Sequence, residues 1–244
     1  MNPLKNRDDI SKFVVHLTKD YTNLSAEDNL INILKSQTLE ARNYHCLFND
    51  QIRNSELEKD QKSIFKSVCF TETPLVNIKH LTDERIDRKV KLRPYGLAFW
   101  RDELLKKNAS PAIYINGVSS GLDKTLRDEF VSHLQNISKL KRESAKLDKL
   151  NKISKYYSLI NTINNRYDFS WEREWRHIGN FSFNYNYIAA IIAPDPDSLR
   201  VKLQDKLSDE QIKLLNKTII IAPEWSYEDV IHQYSLHLWN NEDS

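Results

Sequence analysis

Apolar and polar positions follow two periods along this chain, and the changes of period mark its elements. Phe13-Val14-Val15-His16-Leu17-Thr18 is a β-branched run between polar flanks and reads as a first strand. Ser25-Ala26-Glu27-Asp28 then fits a helix-capping box, and Leu30, Ile31, Ile33 and Leu34 supply the apolar face of the helix it opens. Residues 41–62 are polar and irregular, which predicts an exposed loop or short helices. Val68-Cys69-Phe70-Thr71 reads as a second strand ended by Pro74, and the charged stretch 75–91 has helical character. Tyr95-Gly96-Leu97-Ala98-Phe99 and Ala112-Ile113-Tyr114-Ile115 are further strands, separated by a short helix from Trp100 to Lys107 that Pro111 keeps from extending. Three more strands follow at Trp175 to Ile178, Tyr187 to Ala193 and Thr218 to Ala222, with helices over 197–206, 208–216 and 227–238.

The long stretch 122–163 has neither Gly nor Pro, and Leu147, Leu150, Ile153, Tyr157 and Ile160 recur at helical spacing. It predicts two helices, a helical insertion over 120–165 within one domain spanning 1–244. Short helices and strands alternate without a regular βαβ period, so the expected class is α+β.

Composition narrows the chemistry. Of 244 residues, 40% are hydrophobic and 29% charged, enough to build a core. The net charge of +2 requires neither nucleic acid nor an anionic membrane. One segment departs from that balance. Between Lys139 and Lys155 stand seven basic residues against Glu143 and Asp148, which makes either a solvated helix face or a local surface for nucleic acid or an acidic partner. Cys46 and Cys69 are the only cysteines, so neither a disulfide scaffold nor a C-x-x-C zinc or redox site is expected. The polar start of the chain lacks an apolar signal core, and no run approaches a membrane span, so the expected location is cytoplasmic. Four glycines, none in a G-x-G-x-x-G or P-loop pattern, exclude nucleotide sites built on glycine-rich loops.

The most chemically loaded segment is Trp171-Glu172-Arg173-Glu174-Trp175-Arg176. On a strand, Glu172, Glu174 and Arg176 would share one face and Trp171, Arg173 and Trp175 the other. Two carboxylates on one face raise each other's pKa unless a cation sits between them, and Arg176 could be that cation. The segment is then either a site or an edge strand with its indoles in the core. His16 and Thr18 share a strand face, and Thr71 and Thr73 stand on one side of a strand end. Brought together, these segments would line a cleft for a nucleoside or sugar. A separate pattern, Arg127-Asp128-Glu129-Phe130-Val131-Ser132-His133, resembles the R-x4-6-H motif of HEPN ribonucleases. There the His acts as acid or base and the Arg stabilises the phosphate transition state. No metal-ligand spacing is present, and no metal is expected.

The strand at 13–18, the run Asn29-Leu30-Ile31-Asn32-Ile33-Leu34-Lys35-Ser36, the strand 68–75, Tyr95-Gly96-Leu97-Ala98-Phe99 and Glu172-Arg173-Glu174-Trp175-Arg176 together resemble the AbiGi family of abortive phage-infection proteins, over roughly 12–193. The same order of segments is similar to ADP-ribosyltransferase folds, which hold NAD in a split mixed or antiparallel sheet flanked by helices. That resemblance implies transfer of ADP-ribose from NAD to a macromolecule, with Glu174 as the catalytic carboxylate and Glu172 orienting the acceptor. A fixed carboxylate would stabilise the positive charge that develops on the ribose as nicotinamide leaves. His16 and Thr18 would hold the ribose or the nicotinamide amide. Thr71 and Thr73 stand where such enzymes carry S-T-S, although Glu72 departs from that pattern, and Tyr95 or Phe99 would stack on nicotinamide. The AbiGi family also implies an antitoxin, an interaction module whose partner is a cognate toxin.

Overall fold

A computed structural model describes residues 11–82, 91–117, 121–139, 152–163 and 170–242, with 237–242 by backbone alone. In chain order the strands are β1 (Phe13–Leu17), β2 (Thr38–Leu39), β3 (Ser67–Thr71), β4 (Gly96–Trp100), β5 (Ser110–Pro111), β6 (Ile113–Asn116), β7 (Ile160–Ile163), β8 (Glu174–Ile178), β9 (Phe181–Ser182), β10 (Ile188–Ile192) and β11 (Ile219–Ile221). The helices are α1 (Ala26–Ser36), α2 (Asn49–Asn54), α3 (Lys59–Ser63), α4 (Lys79–Thr82), α5 (Arg101–Lys106), α6 (Leu122–Lys139), α7 (152–157), α8 (Pro196–Lys206), α9 (Asp209–Leu215) and α10 (Tyr227–Glu242). Helices and a mixed sheet make this an α+β chain. It divides into two compact units, one of residues 1–38, 70–106 and 182–244, the other of residues 39–69 and 107–181.

The first unit carries strands in the order β11-β10-β4-β1-β3. All neighbours are antiparallel except β10 and β11, which are parallel with Ala190 opposite Ile219. A parallel pair cannot be joined by a hairpin, and α8 and α9 supply the crossover between these two strands. Central β4 is buried from Gly96 to Phe99, as expected for a strand covered on both faces. One face packs Val15, Leu17, Ala98, Ala190, Ile192 and Ile221 with Ile78 and Leu81. Phe99 meets Phe70 and Phe183 edge-on, at centroid distances of 5.9 and 5.1 Å.

Local signals fix the helix starts. The Ser25 hydroxyl accepts the Asp28 amide ahead of α1, and Asp195 does the same for Ser198 ahead of α8, where Pro196 needs no donor. Ser208 and Gln211 form a reciprocal capping box at α9.

The second unit holds Ser67–Cys69 of β3 beside β8, with β5 antiparallel to β8, and a separate parallel pair of β6 and β7. Its core gathers Leu47, Phe48, Ile52 and Leu57 with Phe65, Phe130, Leu134 and Ile137. Phe130 is the hub, 4.4 Å from Phe48 and 4.7 Å from Tyr157 between ring centroids.

Two expectations change here. The stretch 41–62 does contain the short helices α2 and α3, but it is no exposed loop, because Cys46, Leu47, Phe48, Ile52 and Leu57 are core residues. Ile160 is not helical: it opens β7 and pairs with Ile113 of β6. The apolar spacing that extended the second of the two expected helices to Ile160 misassigned that end of the stretch. Ile153 is exposed, whereas Ser154 and Ser158 are fully buried, so polar residues hold the inner positions. Leu147 and Leu150 fall outside the described residues.

Gly96 is the position where the first unit tolerates least. A Cβ there would overlap the His16 carbonyl oxygen and stand 3.0 Å from Leu17 Cδ2. That carbonyl belongs to backbone fixed by the β1–β4 pairing, so it cannot retreat cheaply. Gly96→Ala is expected to destabilise the chain by about 1–3 kcal/mol, the usual cost of overpacking, read as a lower denaturant midpoint.

Candidate functional site

The segment 171–176 is only half a strand. Ser170–Glu172 forms one 3-10 turn, Arg173 follows with φ at 46°, and β8 begins at Glu174. The left-handed residue redirects the chain, so Glu172 does not share a strand face with Glu174. Trp171 is exposed and Trp175 alone carries an indole into the core, which corrects the expectation of two buried indoles.

Glu174 and Arg176, two apart on β8, do share a face. Arg176 donates from Nε to Glu174 Oε1 at 3.0 Å and from Nη2 to Oε2 at 2.8 Å, a bidentate fork. Its third arm, Nη1, donates to the Ser158 carbonyl at 2.6 Å. The Tyr114 hydroxyl donates to Glu174 Oε2 at 3.0 Å, and the Cys69 thiol hydrogen-bonds the same carboxylate. Arg176 is 0% exposed. A carboxylate offers about four acceptor positions, and here donors of the chain's own side chains occupy them.

The electrostatics follow from that packing. Burial works to raise the Glu174 pKa. The Arg176 charge and the hydrogen bonds from Arg176, Cys69 and Tyr114 outweigh it, and the carboxyl sits below its ordinary range. Burial acts against the Arg176 cation too, but the Glu174 charge holds the guanidinium protonated beyond its usual range. Burial pushes the Cys69 thiol well up, as it does the Tyr114 phenol, in each case reinforced by the neighbouring negative charge. Every group is thereby fixed in one protonation state at neutral pH. The cluster can hold charge and position backbone, but it offers neither a general acid nor a reactive thiolate.

The other expected residues are placed in the first unit. Thr18 is buried, and its hydroxyl is 2.8 Å from the Ala26 carbonyl and 3.1 Å from that of Tyr95, tying the end of β1 to α1 and to the approach of β4. Thr71 and Thr73 are buried with their hydroxyl oxygens 2.8 Å apart, and the Thr73 amide donates to Thr71 Oγ1. Glu72 between them is buried and lies 3.6 Å from Arg101. His16 meets Phe70 edge-on. Burial, then the charge of Glu27, raises the phenol of half-buried Tyr95. Phe99 is a fully buried core side chain, so its ring is engaged by Phe70 and Phe183 and is not displayed for stacking. Glu172 and Glu174 belong to the second unit and these residues to the first.

Arg127 and His133 both lie on α6, but six residues is about 600° of helix, which leaves them on different faces. Arg127 Nη1 donates to Gln51 at 3.1 Å, whereas His133 Nε2 is 2.6 Å from the buried Ser154 hydroxyl. Burial lowers the His133 pKa. Of the basic segment, Lys139 ends α6 and Lys152 and Lys155 lie on α7, with 140–151 outside the described residues.

Tyr114, Cys69 and Ser158 complete the Glu174 cluster and were not singled out from sequence. No local signal marks them, because the fold, not spacing, brings them to β8. The Glu174 and Arg176 pairing was readable from the two-residue strand period.

A family model described as "Putative abortive phage resistance protein AbiGi, antitoxin" matches residues 31–222, well over half of the chain. No curated protein and no solved structure matches it.

Removing one partner of a buried pair leaves the other uncompensated, so Glu174→Gln is expected to cost about 3–5 kcal/mol in denaturant unfolding. The wild type should also show a pH signature. Because the folded-state pKa of Glu174 is depressed, its contribution is complete above the unfolded carboxylate pKa and is lost as pH falls through the lower folded value. The Glu174→Gln variant should lack that acid-side loss, and an unchanged acid slope would refute the assignment.

Proposed function

Because the chain belongs to the AbiGi family of abortive phage resistance proteins, we propose that it acts as a non-catalytic antitoxin, a protein that restrains a toxin by binding it. The observation that carries this reading is the state of Glu174. A carboxylate that stabilises a ribosyl cation must face its substrate with acceptor positions to spare. Glu174 instead accepts from Arg176, Tyr114 and Cys69, and it neutralises a fully buried cation. That is the work of a structural brace. The hydroxyls of Thr18, Thr71 and Thr73 are likewise engaged with the chain itself. The family description, an antitoxin, supports the same direction, and the partner it implies is a cognate toxin.

The test is co-expression with the product of the gene adjacent to its own. The chain alone is expected to leave growth, RNA integrity and cellular NAD unchanged, and to restore growth when the neighbouring product is toxic. Toxicity of the chain alone with loss of cellular NAD, abolished in a Glu174→Gln variant that circular dichroism shows to be folded, would replace this reading with ADP-ribosyl transfer. RNA cleavage abolished by His133→Ala would replace it with a ribonuclease.

A further inference from the structure

Helix α10 is long, and it is exposed. Of its side chains described, none is fully buried. Val230 and Gln233 are half-buried, while Tyr227 is 74% exposed, Ile231 48% and Tyr234 51%. These three stand at i, i+4 and i+7, one stripe along a single helix face. The start of the helix is secured, since the Ser226 hydroxyl accepts the Asp229 amide and Asp229 accepts the Ser226 amide. α10 is therefore a formed helix presenting an apolar stripe to solvent. It follows the family-matched stretch 31–222, so the family description assigns it no role.

Charge decides what can cover that stripe. From Thr218 to the last residue the chain has five carboxylates, Glu224, Glu228, Asp229, Glu242 and Asp243, and neither Lys nor Arg. An interfacial membrane helix carries Lys and Arg on its polar face to meet anionic lipid, and this helix has none. Nucleic acid is excluded on the same ground, because phosphate contacts need cations. Pairing of α10 with α10 of a second copy would set carboxylates against carboxylates with no Lys or Arg to offset them. What remains is a protein groove with an apolar floor and a basic rim.

We propose that α10 is the docking element of this chain, seating Tyr227, Ile231 and Tyr234 in an apolar groove of the cognate partner while Glu224 and Glu228 meet Lys or Arg on the groove's rim. The proposal rests on the antitoxin reading and names the surface through which it would act. Aromatic and aliphatic anchors of this kind carry most of the energy of a helix-in-groove interface, and rim charges govern encounter rate and salt dependence.

The experiment uses the full chain and the product of the adjacent gene, with light scattering for stoichiometry and titration for affinity. Ile231→Ala combined with Tyr234→Ala keeps helix propensity high, so circular dichroism should be unchanged. Affinity is expected to fall at least about tenfold. Glu224→Lys with Glu228→Lys should slow association and flatten its salt dependence. Equal affinity of the wild type and the alanine variant would overturn the docking assignment while leaving the antitoxin reading intact, provided growth rescue persists. A wild type that neither binds nor rescues would overturn both. A self-association of the chain lost in the alanine variant would assign the stripe to a second copy and overturn the proposed partner.

Discussion

The second unit depends on burying one guanidinium. A cation with no solvent exposure is costly unless its charge is neutralised and its donors are satisfied, and Arg176 achieves both through partners on several elements. Glu174 supplies the counter-charge from the same strand, two residues away, where the strand period makes the fork geometrically easy. Ser158, between α7 and β7, supplies its carbonyl, and its own hydroxyl donates to the Phe65 carbonyl at 3.0 Å. Tyr114 of β6 and Cys69 of β3 complete the carboxylate's shell. The ion pair thus reaches three strands and the turn between α7 and β7, and losing it would leave those groups without their partner. Such pairs stabilise little relative to an apolar replacement of both partners, but they penalise any arrangement that breaks one partner. Removing either partner of the Arg176–Glu174 pair therefore costs more than replacing both by apolar residues.

How much of this was legible follows from where each signal resides. Strands 13–17, 67–71, 96–100 and 188–192 and helix 26–36 were readable because their apolar period, caps and breakers are local. The Glu174–Arg176 pairing was readable for the same reason. Glu172 was misplaced because the turn before β8 hinges on Arg173 in a left-handed conformation, where only glycine or asparagine would have signalled it. Ile160 was misplaced because a strand with apolar neighbours can mimic helical spacing over one or two turns. Ser154 and Ser158 were invisible as interior positions, since a buried serine is identified by its partner, here His133 and the Phe65 carbonyl, and not by its type.

Residues that read as chemistry in sequence are bonded to the chain itself in three dimensions, and the difference is one of occupancy. A motif of carboxylates, hydroxyls and a histidine says which groups are present. It does not say whether their lone pairs and protons are available. Thr71 and Thr73 bond each other, Thr18 bonds two carbonyl groups' worth of backbone, and Glu174 is filled by three side chains. Preorganised catalytic groups are held by neighbours too, but they keep one face toward a substrate. A carboxylate below its ordinary pKa range, locked to a buried cation, has no proton to give at neutral pH and little charge left to lend.

The contrast with α10 sharpens the functional argument. In the second unit the strongest charges are interior and matched, which is what stability asks of them. In α10 Glu228, Asp229, Tyr227, Ile231 and Tyr234 are exterior, and the helix has neither Lys nor Arg to match its acids. An apolar stripe in water forgoes roughly 25 cal/mol for every Å² left uncovered, so a chain that places tyrosine and isoleucine there gains from a second surface. On the proposed reading, the free energy that drives binding comes from the exposed face of α10, whereas the charged cluster on β8 is engaged within the fold.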